Sequence, residues 1–157
     1  MAVTIFHGSG VTVEAPEIRI AKYTKDFGFG FYCTKNYSQA ERWARRHNNP
    51  KRGEKPTVNL YLYDPDASLS YKTFEEMSEE WLDFIVACRK GVPHAYDIVE
   101  GPMADDTIWD YLDAYMSGEI SRTAFWELAK YKHPTHQISF HTEAALKCLH
   151  FERTVLV

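Results

Sequence analysis

Alternating apolar and polar positions divide the chain into short strands and short amphipathic helices. Residues 3–7 (VTIFH) alternate as a strand does and stop at Gly8-Ser9-Gly10. A loop with Pro16 follows, then a brief alternating run at 18–20. Residues 27–34 (FGFGFYCT) alternate ring and glycine before entering a strand. Glycine inside such a pattern marks a bend or a close backbone approach. Ser38 is placed to cap a helix with Ala40, Trp43 and Ala44 on one face. That helix frays at His47-Asn48-Asn49-Pro50, and a basic loop runs on to Pro56. Residues 57–63 (TVNLYLY) form a strong strand with period two, and 69–71 add a short one. The spacing predicts a helix over 78–89 with Trp81, Phe84, Ile85 and Cys88 on one face, ended by Gly91 and Pro93. A short strand at 96–99 comes next. Asp105 or Asp106 then caps a helix through Tyr115, closed by Gly118. Ser121 opens another through Tyr131, with Ala124, Leu128 and Tyr131 as its apolar stripe. Pro134 precedes a strand at 137–141, a short helix from Thr142-Glu143 to Leu149, and a final strand at 151–157. Strands and helices mix without strict alternation, which predicts one α+β domain over residues 1–157.

Composition narrows this picture. Hydrophobic residues make up 45% and charged residues 25%, ordinary globular values that exclude a disordered chain. No apolar run approaches the roughly 18 residues that a membrane span needs. Aromatic content is high at 15%, and so many rings can fill a core, stack on a flat ligand, or both. The net charge of −4 argues against a general nucleic-acid coat. The charge is uneven, however: residues 19–55 hold ten basic and three acidic residues, and 75–113 hold eleven acidic and two basic. A basic segment of this kind permits recognition of an anion such as a phosphate-bearing cofactor; solvated surface is the simpler reading for most of these charges. Cys33, Cys88 and Cys148 are odd in number and widely spaced, which fits neither a disulfide framework nor a zinc site. The first residues lack the basic and apolar regions of a signal peptide, so the cytoplasm is the expected compartment.

Three places could carry chemistry. His7-Gly8-Ser9 ends the first strand, with a histidine able to hydrogen-bond a ligand and a glycine that leaves the backbone approachable. The Gly28-Phe29-Gly30-Phe31-Tyr32 run presents Tyr32, and Trp43 follows on the next helix. The two rings can clamp a flat ligand or simply pack the core. Third, alternation puts Gln137, Ser139 and His141 on one strand face, either solvated or aimed at a ligand. The glycines match neither a dinucleotide-binding fingerprint nor a phosphate-binding P-loop. The histidines lack zincin spacing and no nucleophile elbow occurs, so no metal is expected.

In this order, the three places resemble the histidine–tyrosine branch of the ADP-ribosyltransferase superfamily, which includes poly-ADP-ribose polymerases and diphtheria-type toxins. The matching residues are His7-Gly8-Ser9, the run from Phe27 to Tyr32, Trp43 and Gln137. The whole chain is also similar to a small bacterial family grouped with that superfamily and associated with toxin–antitoxin pairs. Shared runs are FHGSG, DFGFGFYCT, AERWA, EEWLDFI, YDIVEGPMADD and QISFHTEAAL.

The resemblance implies a split, bent β-sheet sandwich with a helical insertion at about 74–132. It implies NAD as co-substrate and no metal. His7, Tyr32 and Gln137 would be catalytic. NAD would be held by His7, Gly8, Ser9, Gly30, Phe31, Tyr32 and Trp43, with Tyr32 and Trp43 stacking on the nicotinamide. The implied activity is a toxin-type mono-ADP-ribosyltransferase acting on a protein or nucleic-acid acceptor, with a small antitoxin-like partner. The sequence departs from the pattern at Ala40, where the polymerases have a serine, and at Gln137, which replaces a glutamate. A neutral amide can orient the ribose but offers only a dipole to developing positive charge. The alternatives are an NAD- or ADP-ribose-binding module without turnover, and an RNA 2′-phosphotransferase using Arg19, Arg42, Arg45 and Arg46. Glu143 could replace the missing carboxylate only by folding back to the cleft. Trp81, Trp109 and Trp126 either pack the inserted helices or expose a docking face.

Overall fold

The computed structural model describes residues 2–20 and 25–157; Met1, and Lys22 of the basic segment, lie outside them. Strand β1 (Val3–Ser9) runs past the alternating stretch and through Gly8. It pairs antiparallel with β3 (Thr57–Tyr63), which pairs antiparallel with β7 (Leu149–Leu156). A second sheet contains β2 (Phe31–Cys33), β4 (Tyr71–Thr73), β5 (Ile98–Pro102) and β6 (His136–Phe140), in the order β2-β6-β5-β4. Among the described strands only β4 and β5 run parallel, and the crossover that a parallel pair requires is helix α2 (Glu79–Arg89).

Among the described residues, one bridge joins the two sheets. Phe6 N donates to Thr34 O at 2.8 Å, and Thr34 N donates back to Phe6 O at 2.9 Å. Beyond it the strands part. His7, Gly8 and Ser9 stay with β3, whereas Phe31 and Tyr32 pair with β6.

Alternation along the strands sorts their side chains into layers. Ile5, Phe31, Cys33, Tyr61, Tyr63, Ile98, Ile138 and Phe140 meet between the sheets. Val58 and Leu60 face outward and pack under Ala40 and Ala44 of α1 (Tyr37–Arg45). Tyr32 and Val99 face outward from the second sheet, under Trp81, Leu82 and Ile85 of α2. Helices α3 (Asp106–Met116) and α4 (Arg122–Ala129) complete that layer with Ile108, Leu112, Phe125 and Ala129. The short α5 (Glu143–Leu146) leads into β7.

Several local expectations shift. Asn36, not Ser38, caps α1, accepting from Gln39 N at 3.1 Å; Ser38 already lies inside the first turn. The stripe on α4 is Phe125 and Ala129. Leu128 and Tyr131 are 43% and 77% exposed. Both sets have helical spacing, and the large ring takes the buried side. The 74–132 stretch is not one helical insertion, because β5 lies inside it as an interior strand of the second sheet. Residues 18–20 are irregular, and β4 and β5 each start two residues later than alternation suggests. Trp81 is fully buried with its indole N–H on Pro102 O at 2.9 Å. Trp109 and Trp126 pack against the same core, so these rings hold the helices to the sheet. No helix among the described residues is long and apolar enough to cross a membrane.

Candidate functional site

The split between β1 and β2 opens into a cleft with two lobes. One, of about 350 Å³, is lined by His7, Gly8, Ser9, Gly30, Phe31 and Tyr32 and roofed by residues of the 11–19 segment. The other, of about 320 Å³, is lined by His7, Gly8, Tyr32, Trp43, Asp26 and Gln137. Each is of ligand-binding size, about 300–1,000 Å³. All eight residues singled out for NAD binding or catalysis therefore border one cleft, although they come from β1, the loop before β2, β2, α1 and β6.

His7 spans the split. Its Nδ1 lies 2.6 Å from Tyr32 O, and a carbonyl only accepts, so Nδ1 carries the proton and Nε2 is the acceptor. Burial lowers its pKa to about 4, against the opposing pull of that carbonyl, so the ring is neutral at pH 7. Phe31 backs it at 4.2 Å between centroids. Phe31 is 6% exposed and belongs to the inter-sheet core, so it supports the His7 ring from the core side.

Tyr32 is latched by its own loop. Its hydroxyl donates to Gly28 O at 2.6 Å and accepts from Phe27 N at 3.0 Å. Burial raises the phenol's pKa, so it stays protonated. The hydroxyl is thus engaged within the protein, and what remains for a ligand is the ring. Lys25 Nζ lies over that ring, 5.2 Å from its centroid. Gly28 holds φ +89°, a conformation L side chains rarely adopt. The loop is also held from behind. His94 meets Phe27 O at 2.8 Å, and His141 Nδ1 donates to Phe29 O at 2.8 Å. Burial lowers the His141 pKa to about 4, leaving Nε2 to accept from Ser139 Oγ at 2.7 Å. The face carrying Gln137, Ser139 and His141 is therefore an internal support, not a solvated surface.

Gly8 acts differently from the expectation of an open backbone for a ligand. A Cβ there would run into Ala40 O and lie 2.7 Å from Ala44 N. Its bareness lets α1 settle on β1, and that contact carries Trp43 to the cleft. Ala40, fully buried, is part of the same contact.

Gln137, only 5% exposed, donates from Nε2 to Asp26 Oδ2 at 3.1 Å. Asp26 is 4% exposed, accepts from Ala104 N at 2.8 Å, and pairs with Arg89. Sequence reasoning missed this carboxylate, since Asp26 sits in the irregular run before the glycines with nothing local to mark it. It also missed Asn59, fully buried, which accepts from Val13 N at 2.8 Å and donates to Val11 O at 3.2 Å, holding the roof. Glu143 is exposed in the first turn of α5 and borders neither lobe.

Arg19, Lys25, Arg46 and His47 line the lobes beside Glu17 and Asp26. The arginines considered for phosphate do not converge. Arg42 borders a neighbouring recess and bonds Gln39, Arg45 pairs with Glu41, and Arg46 pairs with Asp106. No curated protein and no solved structure matches the chain. A family described as "Protein of unknown function (DUF3990)" matches residues 3–151, from β1 into β7 and so across every wall of the cleft. The chain belongs to the DUF3990 family.

Proposed function

We propose that this protein is an NAD-dependent mono-ADP-ribosyltransferase built on the split-sheet fold of that superfamily. One observation carries the reading: His7, Tyr32, Trp43 and Gln137 come from four separate elements and border one lobe of the cleft. In this reading an adenosine-ribose hydroxyl donates to His7 Nε2. The Gly8 backbone holds the nicotinamide carboxamide. The nicotinamide ring lies between Tyr32 and Trp43, displacing Lys25. Gln137 accepts from the 2′-hydroxyl of the nicotinamide ribose. The bond from the anomeric carbon to nicotinamide breaks with its electron pair leaving on nicotinamide. The acceptor's nucleophile then bonds that carbon and gives up its proton. Such chemistry asks mainly for positioning and exclusion of water. The basic residues along the lobes suit a dinucleotide's phosphates. The neutral amide at 137 favours transfer of a single ADP-ribose, to a protein or nucleic-acid acceptor in the cytoplasm, with a small antitoxin-like protein as regulator.

That same amide favours a second reading, a module that binds NAD or ADP-ribose without turnover, because the nearby Asp26 charge is already paired with Arg89. Labelled NAD incubated with protein and cell lysate separates the two. The enzyme reading expects a labelled macromolecule and free nicotinamide, both lost in His7→Ala. Trp43→Ala is expected to weaken NAD binding roughly two- to tenfold, the worth of one ring stack, without lowering the melting temperature. Calorimetric binding with no nicotinamide release would establish the binding module. Absence of binding would remove both.

A further inference from the structure

We propose that Asp26 is a positioning residue of this site: its buried carboxylate holds the Gln137 amide with Nε2 inward and Oε1 toward the cleft. The orientation follows from the geometry alone; that Oε1 meets a ribose hydroxyl rests on the transferase reading.

A carboxylate only accepts hydrogen bonds, so the Gln137 atom 3.1 Å from Asp26 Oδ2 must be the nitrogen. The flipped amide would set two acceptors face to face in a buried place, which costs more than the bond it replaces. Asp26 cannot swing aside to allow it. Oδ2 also takes Ala104 N at 2.8 Å, and Oδ1 takes the Arg89 guanidinium. Arg89 in turn lies 3.9 Å from the centre of the Trp109 ring, which links α2 to α3. Asp26 is thus fixed from two directions, by Ala104 N and by Arg89, and it fixes Gln137. Among the described residues no hydrogen bond engages Oε1, while Gln137 borders the second lobe. Residue 137 therefore presents its amide oxygen, an acceptor, to a ligand.

The pairing also accounts for the amide. A carboxylate at 137 would face Asp26 at hydrogen-bond distance in a buried site, and like charges there hold one group protonated. Glutamine accepts from the ligand on one side and donates to Asp26 on the other.

Wild type, Gln137→Glu, Asp26→Asn and the double variant test this with two readouts. The first is urea unfolding between pH 4 and 8 without ligand. In Gln137→Glu the introduced carboxyl has a folded pKa raised above its unfolded value of about 4.3. Its penalty is then small near pH 4 and grows as pH rises, by at most about tenfold in the folding equilibrium per pH unit. In the double variant the pH-dependent part shrinks, because an amide at 26 can donate to it. The second readout is nicotinamide release. Asp26→Asn is expected to lower kcat about tenfold or more with a smaller change in KM, as loss of orientation at the reacting ribose requires. The double variant recovers part of kcat, which a merely structural role would not produce. A pH-independent penalty in Gln137→Glu overturns the pairing. Unchanged kcat in a folded Asp26→Asn overturns the positioning role. If Asp26→Asn does not fold, the pH profile of Gln137→Glu decides. If wild type neither binds nor cleaves NAD, the transferase reading falls while the profile still decides the orientation.

Discussion

On the inner face of β6, Ile138 and Phe140 are 2% and 0% exposed; on the outer face, Gln137 and Ser139 are 5% and 0% exposed. Depth is the same and the chemistry is opposite. The inner pair meets Phe31, Tyr63 and Ile98 through contacts that have no direction, so what matters there is volume filled. The outer pair must find partners for the polar atoms turned into the protein, because a buried unpaired donor or acceptor costs the full desolvation of that group. Those partners are remote in sequence. Gln137 uses Asp26, and Ser139 sits between Val99 O at 3.0 Å and His141. The inner face holds the sheets together. The outer face ties the glycine loop to the second sheet, since His141 bridges Ser139 and Phe29 O.

Truncation at the inner face should have the largest effect. Phe140→Ala removes a fully buried ring and is expected to cost about 3–5 kcal/mol in urea unfolding. A loss below that range would mean the inter-sheet core can collapse around the gap, and that the two faces differ less than their chemistry suggests.

Tyr32→Phe probes the polar side. The ring stays, the hydroxyl goes, and Phe27 N and Gly28 O lose their partner. The expected cost is about 1–3 kcal/mol, and NAD binding should survive because only the ring is offered to the ligand. Loss of binding with unchanged stability would reverse the assignment and make the hydroxyl the ligand contact.

The third contrast is a pH dependence on the cleft side. His7 and His141 have folded pKa values near 4, below the unfolded value of about 6.5. Between these limits the unfolded chain binds protons that the fold refuses. Their contribution is complete above pH 6.5 and is lost as pH falls toward 4. The slope is at most about 1.4 kcal/mol per pH unit for each ring, less for half-buried His7, where water screens the charge. Acid titration of the melting temperature should show it, and His141→Gln should flatten it. A flat wild-type profile would mean both rings protonate freely in the fold.

Local pattern carried much of this structure. Residues 57–63 are a strand in both readings, because period-two alternation is complete within seven residues. Asp105, one of the two caps the sequence offered, caps α3, and Ser78, the first residue of the expected 78–89 helix, caps α2, since a cap bonds only to the turn that follows it. The α4 stripe was not legible, because two sets of positions share the spacing and only α3 and the sheet choose between them. At the cleft, His7, Tyr32, Trp43 and Gln137 could be picked out by residue type and order, but not the distances among them.

From the sequence alone come the α+β mix, most helix starts and the residue types available at the cleft, because each depends on neighbours within a turn or a strand. Tertiary structure decided that the sheets part after Phe6 and that α1 packs on Gly8 where a Cβ would meet Ala40. It also decided that the buried carboxylate of the cleft is Asp26, bonded to a residue 111 positions away. Hydrophobic periodicity records which way a side chain faces. A hydrogen bond between distant segments leaves no period, and only the closed fold brings its two ends together.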